Sequence, residues 1–191
     1  MGRTQAFDTA TAVTAARDVF WDKGFDAASL ADLELATGLN RSSLYRTFDS
    51  KRGLYDAAVS DYLATVIAPR LARLSAHTDP AAALREYFAS LAQFISSAPS
   101  DSPRRGCLLL NSSTGIAGYD DEQRAVVDDY RGSLQSAFEG ALRRAHHDAG
   151  EQSIVRRARL LVSLTASALV LSRVNPGEAV AMLDAADALI G

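Results

Sequence analysis

The chain of 191 residues reads as an all-α protein, and three observations lead there. Apolar residues recur at helical spacing along nearly the whole length, and no stretch alternates in the way a strand would. The breaks in that spacing fall at Gly and Pro. Finally, Ser29 to Lys51, SLADLELATGLNRSSLYRTFDSK, holds two short helical patterns around the Gly38-Leu39 turn, the arrangement of a helix-turn-helix. About nine helices are predicted, with no internal repeat.

Taken in order, the first helix opens with Asp8 as cap, buries Ala12, Val13, Ala16, Val19 and Phe20, and runs to Lys23. Gly24 stops it in a left-handed conformation. Ser29 with Asp32 three residues on is a capping box, so the second helix starts there and ends near Gly38. Asn40 caps the third, which finishes at about Thr47. Asp49 or Ser50 starts a long fourth helix that Pro69 is expected to bend or end. Asp79-Pro80 opens the next, continuing through Ala82 to Ser97. Residues 98–103 are a loop by composition, Cys107 to Leu110 is a short apolar segment, and Gly115 to Asp121 turns again. Asp121 to His147 is one long amphipathic helix, and Ser153 to Arg173 and Pro176 to Ile190 make the last two.

Composition narrows the class. Hydrophobic residues make up 48% of the chain, too many for a disordered protein. The length admits a small domain beside a larger one. A net charge of −3 does not by itself suggest nucleic acid, but its distribution does. Residues 8–34 carry six carboxylates against Arg17 and Lys23, whereas residues 40–52 carry Arg41, Arg46, Lys51 and Arg52 against Asp49 alone. Positive charge therefore collects on the second helix of the pair and just after it, where phosphates would be met. The one cysteine, Cys107, excludes an intrachain disulfide and suits a reducing compartment. The N-terminus has no apolar signal region, and Leu160 to Leu171 is short and interrupted by Ser163, Thr165 and Ser167. A soluble cytoplasmic protein without a membrane partner is expected.

The third helix presents Arg41, Ser42, Ser43, Tyr45 and Arg46 on one side. An arginine fork can pair with O6 and N7 of guanine, at about 1–3 kcal/mol of discrimination per good contact. Serine hydroxyls suit phosphates, and Tyr45 can lay its ring on a sugar or a thymine methyl. A merely solvated face is the plainer alternative, but it does not account for turn, cap and donors occurring together.

The order of these elements, a helix closed by KGF, then SLADLELATGL, then SSLYRTFDSKRGLY, closely resembles the TetR family of bacterial transcriptional regulators over about residues 8–60. The resemblance implies a DNA-binding domain at residues 1–52 and a helical ligand-binding and dimerisation domain at 53–191. It places Leu44 and Phe48 on the packed side of the reading helix. Ser29, Arg41, Ser42, Ser43, Tyr45, Arg46, Thr47 and Lys51 form the implied DNA-contacting set, Thr47 and Lys51 on phosphates. Arg46 and Thr47 stand where many members carry aromatic residues or histidine after the tyrosine, which leaves the operator sequence open but not the docking mode. The implied partners are a double-stranded operator, a small-molecule effector and a second copy of the chain, with no cofactor.

Within the second region, Phe88, Leu91, Phe94, Cys107, Asn111, Tyr119, Tyr130, Leu134, Gln135 and Phe138 are the candidate lining of an effector pocket. Ser163, Ala166, Ser167 and Val170 recur at i, i+3, i+4 and i+7 and, with Met182, Ala186 and Leu189, are the candidate dimer seam. Leu160, Leu164, Ala168 and Leu171 then face the domain's own core. Arg104 and Arg105 precede Cys107, as they would beside a redox-sensing thiol, but the apolar run that Cys107 opens favours plain burial. Adjacent His146 and His147 point apart on a helix and lack metal-ligand spacing. Phosphate loops and hydrolytic triads are absent, so a helical enzyme or a protein-binding adaptor is the lesser reading.

Overall fold

The computed structural model describes residues 9–99 and 101–191, all of whose regular structure is helical. The expected Asp8 cap lies outside these residues. Helix α1 (Thr9–Ala27) is interrupted at Gly24, which takes φ 75° where Lys23 was expected to be the last helical residue. Helices α2 (Leu30–Thr37) and α3 (Arg41–Phe48) follow as a tight pair. The Ser29 hydroxyl accepts the Asp32 N–H while the Asp32 carboxylate accepts the Ser29 N–H, completing the capping box. Lys23 and Ser29 hold the Asp32 carboxyl well below the usual carboxylate range, so the box stays formed from neutral pH down into strong acid. Gly38 closes α2 at φ 69°, a left-handed conformation that costs an L side chain energy.

Helix α4 (Lys51–Tyr62) is capped by Ser50. The link from α3 is a γ-turn in which Ser50 N–H donates to the Phe48 carbonyl at 2.7 Å around Asp49 at φ 65°. Asp49 is thus the turn and Ser50 the cap. A Cβ at Gly53 would lie 2.1 Å from the Phe48 carbonyl oxygen, so only glycine lets α4 begin so close under the end of α3.

Pro69 neither ends nor sharply breaks the connecting rod. Helix α4 passes through a π turn (Leu63–Ile67) into α5 (Ala68–Ala76), and the Ala68 N–H reaches the Leu63 carbonyl five residues back. A proline in an α-helix loses its own N–H bond and crowds the carbonyl four residues before it, here Thr65. The wider π turn relieves that crowding. Side chains support the site: Thr65 Oγ1 donates to the Asp61 carbonyl, and Arg17 of α1 donates to both Thr65 Oγ1 and the Asp61 carboxylate.

The remaining helices are α6 (Pro80–Ser97), α7 (Leu108–Ser112), α8 (Ile116–Tyr119), α9 (Asp121–Ala145), α10 (Glu151–Leu171), α11 (Pro176–Asp184) and α12 (Asp187–Ile190). The expected turn after Gly115 contains α8, and the expected last helix is divided into α11 and α12. Helices α6, α9, α10 and α11 enclose Leu84, Leu91, Phe138, Leu142 and Leu161, all at most 2% exposed. Tyr87 and Phe138 meet edge to face at 5.1 Å in that interior. A second aromatic group, Phe20, Phe25 and Tyr55, fills the space behind the helix-turn-helix. Trp21 of α1, 4.8 Å from Tyr62 between ring centroids, joins the two interiors into one.

Replacing Ser29 with alanine is expected to cost about 1 kcal/mol through loss of the cap. Denaturant melts of the variant should show a lower midpoint at an unchanged slope, and an unaltered midpoint would remove the capping box from the account of α2.

Candidate nucleic-acid interface

Asn40 starts α3 by accepting the Ser43 N–H at 2.9 Å, and Leu44, 2% exposed, pins the helix to the interior. Phe48, half-buried, packs on the same side. With that side fixed, Arg41, Ser42, Arg46 and Thr47 are exposed, and Ser43 and Tyr45 are half-buried at the edge of the same face. The Arg41 guanidinium sits over the Tyr45 ring, 5.4 Å from its centroid, while the Arg41 N–H donates to Glu34 of α2. Arg46 has only a 3.4 Å hydrogen bond to Ser43 Oγ. Among the described residues neither arginine is paired with a carboxylate, so both forks are open to a base edge or a phosphate.

Two members of the expected set are less free. The Ser29 hydroxyl is exposed but engaged in the cap, accepting from Asp32 N–H and donating to its carboxylate at 2.7 Å. Lys51 lies over the Phe25 ring, 4.7 Å from its centroid, and its Nζ is 3.5 Å from the Asp26 carbonyl oxygen. Desolvation lowers its pKa, with Asp26 opposing. To meet a phosphate Lys51 has to swing off this ring.

Arg52 was not among the expected site residues, yet it is central to the joint beside the interface. Two cations in the first turn of α4 stand at the positive end of the helix dipole, an unfavourable place unless anions answer them. Arg52 Nε donates to Asp56 at 2.8 Å, and its Nη atoms pair with Asp120 and Glu122 at the start of α9. Arg52 holds the Asp120 carboxyl below its ordinary range, so the pair is intact at neutral pH and is lost only as pH falls through the depressed value. Further ties run the same way. Arg104 forks onto Asp18 at 2.8 and 2.9 Å, and Arg173 donates to the Asp22 carbonyl at 2.9 Å. The signal in the sequence was the Lys51-Arg52 pair at the wrong helix end.

Among the expected pocket residues, Phe88, Leu91, Cys107, Tyr130, Leu134 and Phe138 come together, each buried in the interior of the second region. The Tyr62 hydroxyl donates to Cys107 Sγ at 3.3 Å. Phe94 is half-buried, stacked on Trp21 at 6.5 Å. Asn111 donates to the carbonyls of Trp21 and Arg105, a structural tie that uses its amide. Two residues have to be withdrawn from this group. Tyr119 is 65% exposed, and its hydroxyl donates to Asp26 beside the helix-turn-helix. Gln135 bonds along its own helix to Arg131 and Glu139.

On the expected seam, Ser163, Ser167 and Val170 are exposed, and Ala166, Met182 and Leu189 are half-buried. Ala186 is fully buried and belongs to the chain's own interior. Leu160, expected inside, is 46% exposed and joins the outward stripe, because the buried face of α10 is Ile154, Ala158, Leu161, Val162, Thr165, Ala168 and Leu169.

A capped helix-turn-helix with an open cationic face, packed on a larger helical body, defines a transcriptional regulator of the helix-turn-helix class. Residues 12–58 match the family described as bacterial regulatory proteins, tetR family. The HTH-type transcriptional repressor ComR of Escherichia coli (strain K12) is 36% identical over 117 residues, 61% of this chain and 54% of that one. The chain thus matches about half the length of that relative. The HTH-type transcriptional regulator YezE of Bacillus subtilis (strain 168) is 32% identical over 151 residues, 79% of this chain and 76% of its own. A solved structure of the TetR family transcriptional regulator CifR, a cysteine mutant complexed with a 26 bp double-strand operator DNA, superposes with a TM-score of 0.83. It is 27% identical, covering 97% of this chain and 98% of that one. The chain belongs to the TetR family of bacterial transcriptional regulators. No helix among the described residues is long and apolar enough to cross a membrane.

Removing the Arg52 fork should loosen the helix-turn-helix from the α9 end. Arg52→Ala is expected to speed amide hydrogen exchange in α2 and α3 while α9 and α10 keep their protection. Equal exchange in both proteins would mean that the Arg52–Asp120 pair holds nothing in place.

Proposed function

We propose that this chain is a homodimeric, ligand-released repressor acting in the cytoplasm. Residues 1–52 bind a palindromic double-stranded operator, and residues 53–191 provide the effector site and the dimer seam. The observation that carries the reading is the α3 face, where Arg41 and Arg46 stand exposed, without a carboxylate partner among the described residues, on a helix whose other side is fixed by Leu44. The likeness to CifR, solved with operator DNA, supports the same use of the face. Arg41, Ser42, Ser43, Tyr45 and Arg46 enter the major groove or meet its walls. Thr47 and Lys51 take phosphates, and Ser29 contributes through the N-terminus of α2, which it caps.

Reading a palindrome needs two copies, because successive major grooves on one side of B-DNA lie about 34 Å apart. The outward stripe of α10 supports a seam. Leu160, Ser163, Ser167 and Val170 are spaced by three or four residues and exposed, and Val174, 83% exposed, prolongs them. Small side chains between larger apolar ones allow two such helices to approach closely. Ala166, Met182 and Leu189, each half-buried, complete the proposed seam. Repression is relieved by population shift: the effector binds better to dimers whose reading helices are wrongly spaced for the operator.

Fluorescence anisotropy with an operator duplex tests the reading face. Arg41→Ala or Arg46→Ala should weaken operator binding by about 1–3 kcal/mol and relax preference at particular base pairs, whereas Lys51→Ala should weaken all duplexes alike and lower the salt slope by about 1. Undiminished affinity and specificity in Arg46→Ala would rule out this face. For the seam, Ser167→Arg is expected to sediment as a folded monomer that no longer binds operator. A dimer of wild-type stability would place the interface elsewhere.

A further inference from the structure

Between α5 and α6 lies a cleft of about 340 Å³ that contains none of the pocket residues expected from the sequence. Its floor is apolar and buried, formed by Leu74, Ala83 and the ring of Tyr87. One wall carries Arg70 and Arg73, three residues apart and so on the same side of α5. Among the described residues neither guanidinium has a carboxylate partner, unlike Arg52, Arg104 or Arg143. Arg70 is half-buried over the Phe94 ring, 5.4 Å from its centroid. Burial pushes the Tyr87 phenol up, and the charge of Arg70, which lines the same cleft, is the main influence opposing it. Glu86 stands at the opposite wall, 3.4 Å from His77. Two open arginines against one carboxylate favour a singly charged anion, and Glu86 would repel the second charge of a phosphate dianion.

We propose that this cleft is the effector site and that it takes an apolar molecule bearing one carboxylate, gripped by Arg70 and Arg73 with its body on Leu74, Ala83 and Tyr87. The inference rests on the ligand-released reading above and names the class of ligand and its place. The cleft is well connected to the DNA end. Arg70 follows Pro69 directly, and the π turn before it is tied to α1 by Arg17 through Thr65 and Asp61. A molecule held by its carboxylate on α5 and by its apolar body on Ala83 and Tyr87 of α6 links the two helices beside the irregular turn of the rod, which Arg17 ties to the helix that carries the reading head.

The test uses the full chain and two probes of equal body, n-octanoate and n-octanol, in calorimetric titrations of wild type, R70Q, R73Q and R70Q/R73Q. Octanoate is expected to bind wild type at least about tenfold more tightly than octanol, the worth of a charge-assisted hydrogen bond. That ratio should fall toward one in the double variant and persist in the charge-conserving R70K, with thermal melts confirming that each variant folds. Saturating octanoate should lower operator affinity in wild type and not in R70Q/R73Q. A ratio near one in wild type, an unchanged ratio in R70Q/R73Q, or undiminished operator affinity at saturation would overturn the proposal. Operator release by a neutral compound, equal in wild type and R70Q/R73Q, would leave ligand-released repression standing and remove this cleft as its site.

Discussion

The buried guanidinium of Arg17 is the contact on which the arrangement of the molecule turns. It is 6% exposed, lies on α1, and ends on the Asp61 carboxylate at 2.6 Å and the Thr65 hydroxyl at 3.0 Å. A charge so deep is tolerated only when paired, and removing one partner of such a pair is far more damaging than never having had it. Arg17 therefore commits α1 to one position against the connecting rod, and does so at the turn where Pro69 forbids a regular α-helix. The reading head is not hung from a flexible linker. It is bolted to the irregular point of the helix that runs into the larger helical body.

The other ties act around this bolt. Arg104 on Asp18, Arg173 on the end of α1 and Arg52 on the start of α9 each reach from one region to the other. They are partly exposed, so individually each contributes little and is weakened by salt. Their value is geometric: together they fix where α3 points relative to the outward stripe of α10. In a dimer those two features determine whether both reading helices meet the same side of the duplex. Small shifts at the π turn can therefore have a large effect on DNA binding without any rearrangement of the packed interior.

The helix-turn-helix was legible in the sequence because its signals are local. Ser29, Asp32, Gly38 and Asn40 act on backbone groups within three or four residues of themselves, and the structure uses each as its position suggests. Pro69 was legible only as a disturbance, since the π turn that absorbs it is braced by Arg17, about fifty residues earlier. Phe88, Leu91, Tyr130 and Phe138 declared themselves by periodicity, which locates an interior but cannot say whether it is hollow or filled. Tyr119 and Gln135 were misplaced for a related reason. A polar side chain among apolar ones does not reveal its partner, and that of Tyr119 is Asp26, far away in the chain. Leu160 was misplaced because the inward face of α10 is set by α9 and α11 together, and Ala186 because it lies in the short link between α11 and α12, where helical periodicity does not hold.

The central claim is that two copies of the α3 face read a defined duplex sequence. In vitro selection of the full chain against random double-stranded DNA, followed by hydroxyl-radical footprinting of the selected sites, tests it most directly. The account predicts an inverted repeat, with protected patches on one side of the helix separated by about one helical turn or a multiple of it. Selection without an enriched sequence, or enrichment of a single unrepeated half-site, would contradict it.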